Sequence, residues 1–96
     1  MRLAWGAVVI SEDVARSIRD LRNSGLIHQL DVEGRIAWID PSRWSRTNFQ
    51  QKQDIGTVVA RYFRERRGDG ADIATLKDAG SGKRLAKVGV TGFSVD

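Results

Sequence analysis

The sequence predicts one small α+β domain over residues 1–96, an antiparallel sheet carrying two helices. Apolar residues recur at helical spacing in two segments, Val14-Ile18-Leu21 and Ile55-Val58-Val59-Tyr62-Phe63. Around them lie short runs rich in β-branched and aromatic residues, bounded by Gly, Asp and Ser. The length of 96 residues, 41% hydrophobic and 29% charged, suits one modest core. The expected order is β-α-β-β-α-β-β. Its first six elements match the split βαβ, or ferredoxin-like, sandwich. The alternative treats the first strand as peripheral and joins two hairpins to two helices.

Leu3 to Ile10 is the longest apolar run and reads as the first strand. A membrane span needs about 20 such residues, and the segment that follows is an amphipathic helix rather than a signal-peptide cleavage region. The expectation is therefore no membrane span and, by default, a cytoplasmic protein. Ser11 is placed to cap a helix over 12–24, with Glu12 and Asp13 near the positive end of its dipole and Gly25 as a left-handed stop. Arg16 is spaced to pair with Glu12 and Asp20.

"LIHQLDVEGRIAWID", residues 26 to 40, reads as a hairpin. A two-residue Glu33-Gly34 loop would set Leu30 opposite Ala37. A three-residue loop with Gly34 left-handed sets Asp31 opposite Arg35, Leu30 opposite Ile36 and His28 opposite Trp38. The second register pairs charge with charge and apolar with apolar, and is preferred. It leaves Ile27 and Ile39 partly covered on the second face.

Asp40 and Pro41 suit the cap and first position of a helix or short turn. Thr47 and Gln50 form a T-x-x-Q capping box, a second possible start. Either one helix begins at Pro41, or a short turn holding Trp44 precedes a main helix over residues 51 to 65. Ile73 to Lys77, Leu85 to Thr91 and Phe93 to Val95 read as strands, with a bend at Gly89 or Gly92.

The residues exclude most catalytic chemistry. There is no Cys, and His28 is the lone His, so a His/Cys zinc site is not expected; Asp69, Asp72 and Asp78 lack the spacing of a calcium loop. No Ser lies in a G-x-S-x-G elbow. "AGSGKRL", residues 79 to 85, resembles the tail of a phosphate loop, but Lys77 occupies the first Gly position and Arg84 the hydroxyl position. No cofactor, metal or enzymatic activity is expected.

Two functions are left. The leading expectation is a protein-interaction or self-association domain, with Trp5, Ile27, Ile39 and Phe49 as interface candidates, because the helical stripes do not plainly cover them. The alternative is nucleic-acid binding. The chain carries a formal charge of +4, with 12 Arg against 4 Lys. Arg43, Arg46, Arg61 and Arg64 cluster in the second helical region, and Lys83, Arg84 and Lys87 follow on a basic hairpin. Arg61 and Arg64 are expected to act with Lys83 or Arg84. "GRIAWI", residues 34 to 39, is similar to the third-strand signature of RNA-recognition domains at Gly34, Ala37 and Ile39, and departs from it at Glu33 and Ile36. The similarity is confined to those positions, and no family is recognised from it.

Overall fold

The computed structural model describes residues 11–96; the strand expected over 3–10 and the candidate Trp5 lie outside the described residues. The described elements are α1 (Glu12–Asn23), β1 (Ile27–Asp31), β2 (Ile36–Ile39), α2 (Pro41–Ser45), α3 (Phe49–Arg67), β3 (Ala74–Asp78), β4 (Arg84–Gly89) and β5 (Gly92–Val95). They form a small α+β domain with a mixed five-stranded sheet and three helices.

α1 forms where its apolar stripe predicts. Val14 and Ile18 are buried, and the helix ends at Gly25, whose φ of 89° is left-handed. The Gly25 N–H donates to Arg22 O and the Leu26 N–H to Leu21 O, so a Schellman termination satisfies two carbonyls and turns Leu26 into the core. Two local expectations change. The Ser11 side chain makes no cap bond; instead its backbone N–H donates to Glu65 Oε1 of α3 at 2.7 Å. Arg16 pairs with Glu12 and Asp13 rather than Asp20.

The hairpin corrects the preferred register. Leu30 pairs with Ala37, Asp31 with Ile36 and Gln29 with Trp38, so His28 is not opposite Trp38 and Asp31 is not opposite Arg35. Only Ile27 and Ile39 keep the predicted pairing, because the register shifts by one between Ile27 and Gln29. That bulge at His28 puts both Ile27 and Leu30 on the core side, where simple alternation would separate them. The turn spans Val32 to Arg35, and the left-handed residue is Arg35 at φ 57°, not Gly34. Holding an L-residue there costs about 1–2 kcal/mol. The Arg35 guanidinium offsets this by donating to Ala71 O at 3.0 Å and to the Asp69 carboxylate. Gly34 leaves room for a different contact: a Cβ there would stand 2.6 Å from Asp31 Oδ2 and would push aside the carboxylate that accepts from the Gly34 N–H.

Beyond β2, the second of the two expected arrangements holds. Asp40 caps α2 by accepting from the Arg43 N–H at 2.9 Å, and Pro41 occupies the first turn. A separate helix, α3, follows. Its capping box is Asn48 with Gln51, one residue later than expected, and the Thr47 hydroxyl donates instead to Trp44 O. α3 buries Ile55, Gly56, Val59, Ala60 and Phe63 and stops at Gly68, again left-handed at φ 70°.

The strand order is β1-β2-β3-β4-β5, antiparallel throughout except for the β2–β3 pair, which is parallel. A wholly antiparallel sheet is thus not found. In a split βαβ sandwich another strand would separate β2 from β3; here Ala37 pairs directly with Leu76 and Ile39 with Asp78. The α2–α3 segment supplies the long crossover that parallel pairing requires. β4 and β5 fold back through Val90-Thr91, with Gly92 at φ 111°, so the expected bend is a tight hairpin.

The core lies on one face of this sheet. Ile27, Ala37, Ile39, Ala74, Leu76, Ala86 and Val88 meet Val14 and Ile18 of α1, Trp44 of α2 and Ile55, Val59 and Phe63 of α3. No described helix packs on the opposite face, where the alternate residues of the same strands lie.

Candidate functional site

Two surfaces combine apolar or aromatic side chains with unspent polar capacity: the outer sheet face and the β5 edge.

On the outer face, strand pairing aligns side chains in rows. Gln29, Trp38, Lys77 and Arg84 face one another across β1, β2, β3 and β4. Asp31, Ile36, Thr75, Lys87 and Ser94 form the neighbouring row. Trp38 is half-buried, and Lys77 Nζ lies 5.7 Å from its ring centroid, a cation–π contact worth about 0.5–1 kcal/mol at an exposed site. The acids bordering these rows are engaged. Asp31 Oδ1 accepts from the Gly34 N–H at 3.1 Å, and Asp96 Oδ1 accepts from Arg84 Nη2 at 3.0 Å. The Arg84 guanidinium holds the Asp96 carboxyl below the usual carboxylate range.

The β5 edge carries the second surface. Phe93 and Val95 project toward the helical side, and Phe49, the first residue of α3, meets Phe93 edge-on with ring centroids 5.9 Å apart. Phe49 remains 60% exposed and Val95 38% exposed, so the cluster is not closed by this chain's described residues.

The predicted interface residues divide. Phe49 is on the surface as expected. Ile27 and Ile39 are not: they are 2% and 0% exposed, because pairing Leu30 with Ala37 puts Ile39 on the core face and the His28 bulge turns Ile27 inward opposite it. The predicted basic residues do not make one surface. Arg61 and Arg64 lie on α3, on the helical side, and Arg64 Nη1 is 3.3 Å from Asp72 Oδ2. Lys87 and Arg84 are on the outer face, and Lys83 is in the turn before β4. The expected alliance of Arg61 and Arg64 with Lys83 or Arg84 would have to reach around the sheet. Arg43 and Arg46 instead border a cleft of about 450 Å³ between α1, α2 and α3, floored by Leu21, Leu26 and Ile55.

Two other polar clusters are structural. Asp69 accepts from Arg35 and Arg67 and from the Ala71 N–H, which tie the hairpin turn to the α3–β3 loop and hold its carboxyl well below the usual range. His28 Nε2 lies 3.2 Å from Asp40 Oδ1, and Asp40 is lowered first by the Arg43 N–H and then by His28. Among the described residues no group of three His, Cys, Asp or Glu is placed to hold a metal ion, and no helix is long and apolar enough to cross a membrane.

No protein-family model, curated protein or solved structure matches the chain. Sequence reasoning missed Phe93, Trp38 and Lys77 as surface elements. Phe93 was detectable as an apolar residue on a terminal strand. The meeting of Trp38 with Lys77 depends on the parallel β2–β3 pairing, for which the sequence carries no local signal.

Proposed function

We propose that the chain is a non-catalytic assembly domain that pairs with a second copy of itself through the β5 edge. The observation that carries this reading is the difference between the two edges of the sheet formed by the described strands. Natural edge strands are guarded by charges, Pro, bulges or covering elements. β1 is guarded in this way: it carries Asp31 and the exposed His28 and Gln29, and it is bulged at His28. β5 reads Gly92-Phe93-Ser94-Val95, with neither charge nor Pro, beside the exposed Phe49.

The occupant follows from the same residues. Antiparallel pairing of β5 with its own copy places no like charges opposite each other, since the strand has none. It also brings Phe49, Phe93 and Val95 of each copy to the same side of the joint, where they close one another off from water. A two-fold contact of this kind is self-complementary and stops at the dimer.

Light scattering over micromolar to millimolar protein tests it. The expected mass rises to twice the 10.7 kDa of one chain. Phe49→Lys and Val95→Lys, which supply the missing edge charge, are expected to return the monomer while leaving the circular dichroism spectrum unchanged. A wild-type chain that stays monomeric at millimolar concentration, or charge variants that dimerise equally well, would overturn the reading.

A further inference from the structure

The outer sheet face has a composition that the β5-edge assembly does not use. Its central row runs Gln29, Trp38, Lys77, Arg84, and Lys87 stands in the adjacent row. Neighbouring strands are about 4.8 Å apart, so Arg84 on β4 sits about 10 Å from Trp38 on β2. A flat aromatic side chain thus lies beside a short ladder of cations. The bordering acids are occupied, Asp31 by the Gly34 N–H and Asp96 by Arg84. Lys77 and Lys87 have no carboxylate partner among the described residues, and no described helix covers the face.

We infer that this face binds single-stranded nucleic acid, with Trp38 stacking on a base and Lys77 and Lys87 contacting phosphates. Charge complementarity selects a polyanion, and the aromatic ring selects one that carries planar groups between its charges. An acidic protein surface would use the cations but would leave Trp38 without a matching face. Duplex DNA would present its phosphates while keeping its base faces stacked internally, so the single-stranded form is the one that engages both parts of the row. The row is complete within one chain, so the inference stands or falls independently of self-association.

Fluorescence anisotropy with a labelled short single-stranded DNA, titrated at several salt concentrations, tests it. The wild-type chain should bind at low salt with a log–log salt slope near −0.7 for each phosphate contact. Lys77→Gln and Lys87→Gln should each flatten that slope by about 0.7. Trp38→Ala should weaken binding by roughly 5- to 150-fold, the range for losing one stacked base, and Trp38→Phe should recover most of it. Arg61→Gln, on the helical side, should change nothing beyond a small uniform effect. Lys77→Gln and Lys87→Gln keep the test decisive should Trp38→Ala fail to fold. No binding at low salt would overturn the inference. So would equal sensitivity to Arg61→Gln and Lys77→Gln, or equal affinity for heparin with no dependence on Trp38.

Discussion

Replacing Gly56 by Ala sets two opposing terms against each other, and the structure gives the size of each. Gly56 is buried in α3, where Ala is ordinarily favoured over Gly by about 1 kcal/mol. A Cβ there would stand 2.6 Å and 2.7 Å from Cδ1 and Cε1 of Phe93, and 3.2 Å from Val88 Cγ2. Carbon atoms in contact rest at roughly 3.5–4.0 Å, so the Phe93 ring would have to withdraw by about 1 Å. It is hemmed in by Phe49 at 5.9 Å, and its backbone is fixed by pairing with Val88. Overpacking of this kind costs about 1–3 kcal/mol, so the steric term wins. Gly56→Ala is expected to destabilise the chain by about 1 kcal/mol net, lowering the melting temperature by roughly 4–8 °C at fixed protein concentration. A double-mutant cycle with Phe93→Ala isolates the cause. In that background Gly56→Ala should stabilise by up to about 1 kcal/mol, which gives a coupling of about 2 kcal/mol. Thermal and urea unfolding followed by circular dichroism measure all four corners. A stabilising Gly56→Ala in the wild-type background, or a coupling near zero, would refute the packing argument.

Asp69→Asn should change the acid limb of the stability curve. The folded-state carboxyl is held low first by Arg35, then by Arg67 and the Ala71 N–H, so folding favours the ionised form. Its contribution is complete above the ordinary carboxylate range and is lost as pH falls through that range toward the depressed value. The variant should therefore be less stable at pH 7 and lose less stability below about pH 5; parallel acid limbs in urea titrations would contradict this. Asn48→Ala removes the side-chain acceptor for the Gln51 N–H at 2.8 Å and should cost about 1 kcal/mol, whereas Thr47→Ala, at the position first expected to cap, should cost less. Equal losses at the two positions would place the cap elsewhere.

The elements legible in the sequence are those whose signals are local. α1 and α3 follow from a 3.6-residue apolar period, and both end at glycines that adopt positive φ. The hairpin was legible as a hairpin but not in register. The register is already one residue off at the turn, where Asp31 pairs with Ile36 and Leu30 with Ala37, and the extra residue at His28 then shifts it back. Ile27 and Leu30 are three apart, a spacing that strand alternation assigns to opposite faces, and only the bulge lets both reach the core side. The wrong turn register sent Ile39 to the surface as an interface candidate and the unread bulge sent Ile27 with it, although both are among the most buried side chains.

The candidate surfaces depended on a pairing between distant parts of the chain. β2 and β3 are separated by α2 and α3, yet they lie side by side and in parallel. That one pairing fixes what each face contains. It aligns Ala37 with Leu76 and Ile39 with Asp78 on the helical side, and Trp38 with Lys77 on the other. Had a further strand separated β2 from β3, as in a split βαβ sandwich, Trp38 would not adjoin Lys77, and the basic hairpin would begin one strand farther away. It also sets the edges: with β2 and β3 both internal, β1 and β5 are left outermost among the described strands. β1 closes the hairpin that bears Asp31 and the His28 bulge, whereas β5 ends in apolar residues against Phe49. The pairing that builds the core thus also determines which side chains share the outer face and which strand is outermost among those described, and because the outer face and the β5 edge are separate, a dimer of the proposed β5-paired kind would extend the outer face rather than bury it.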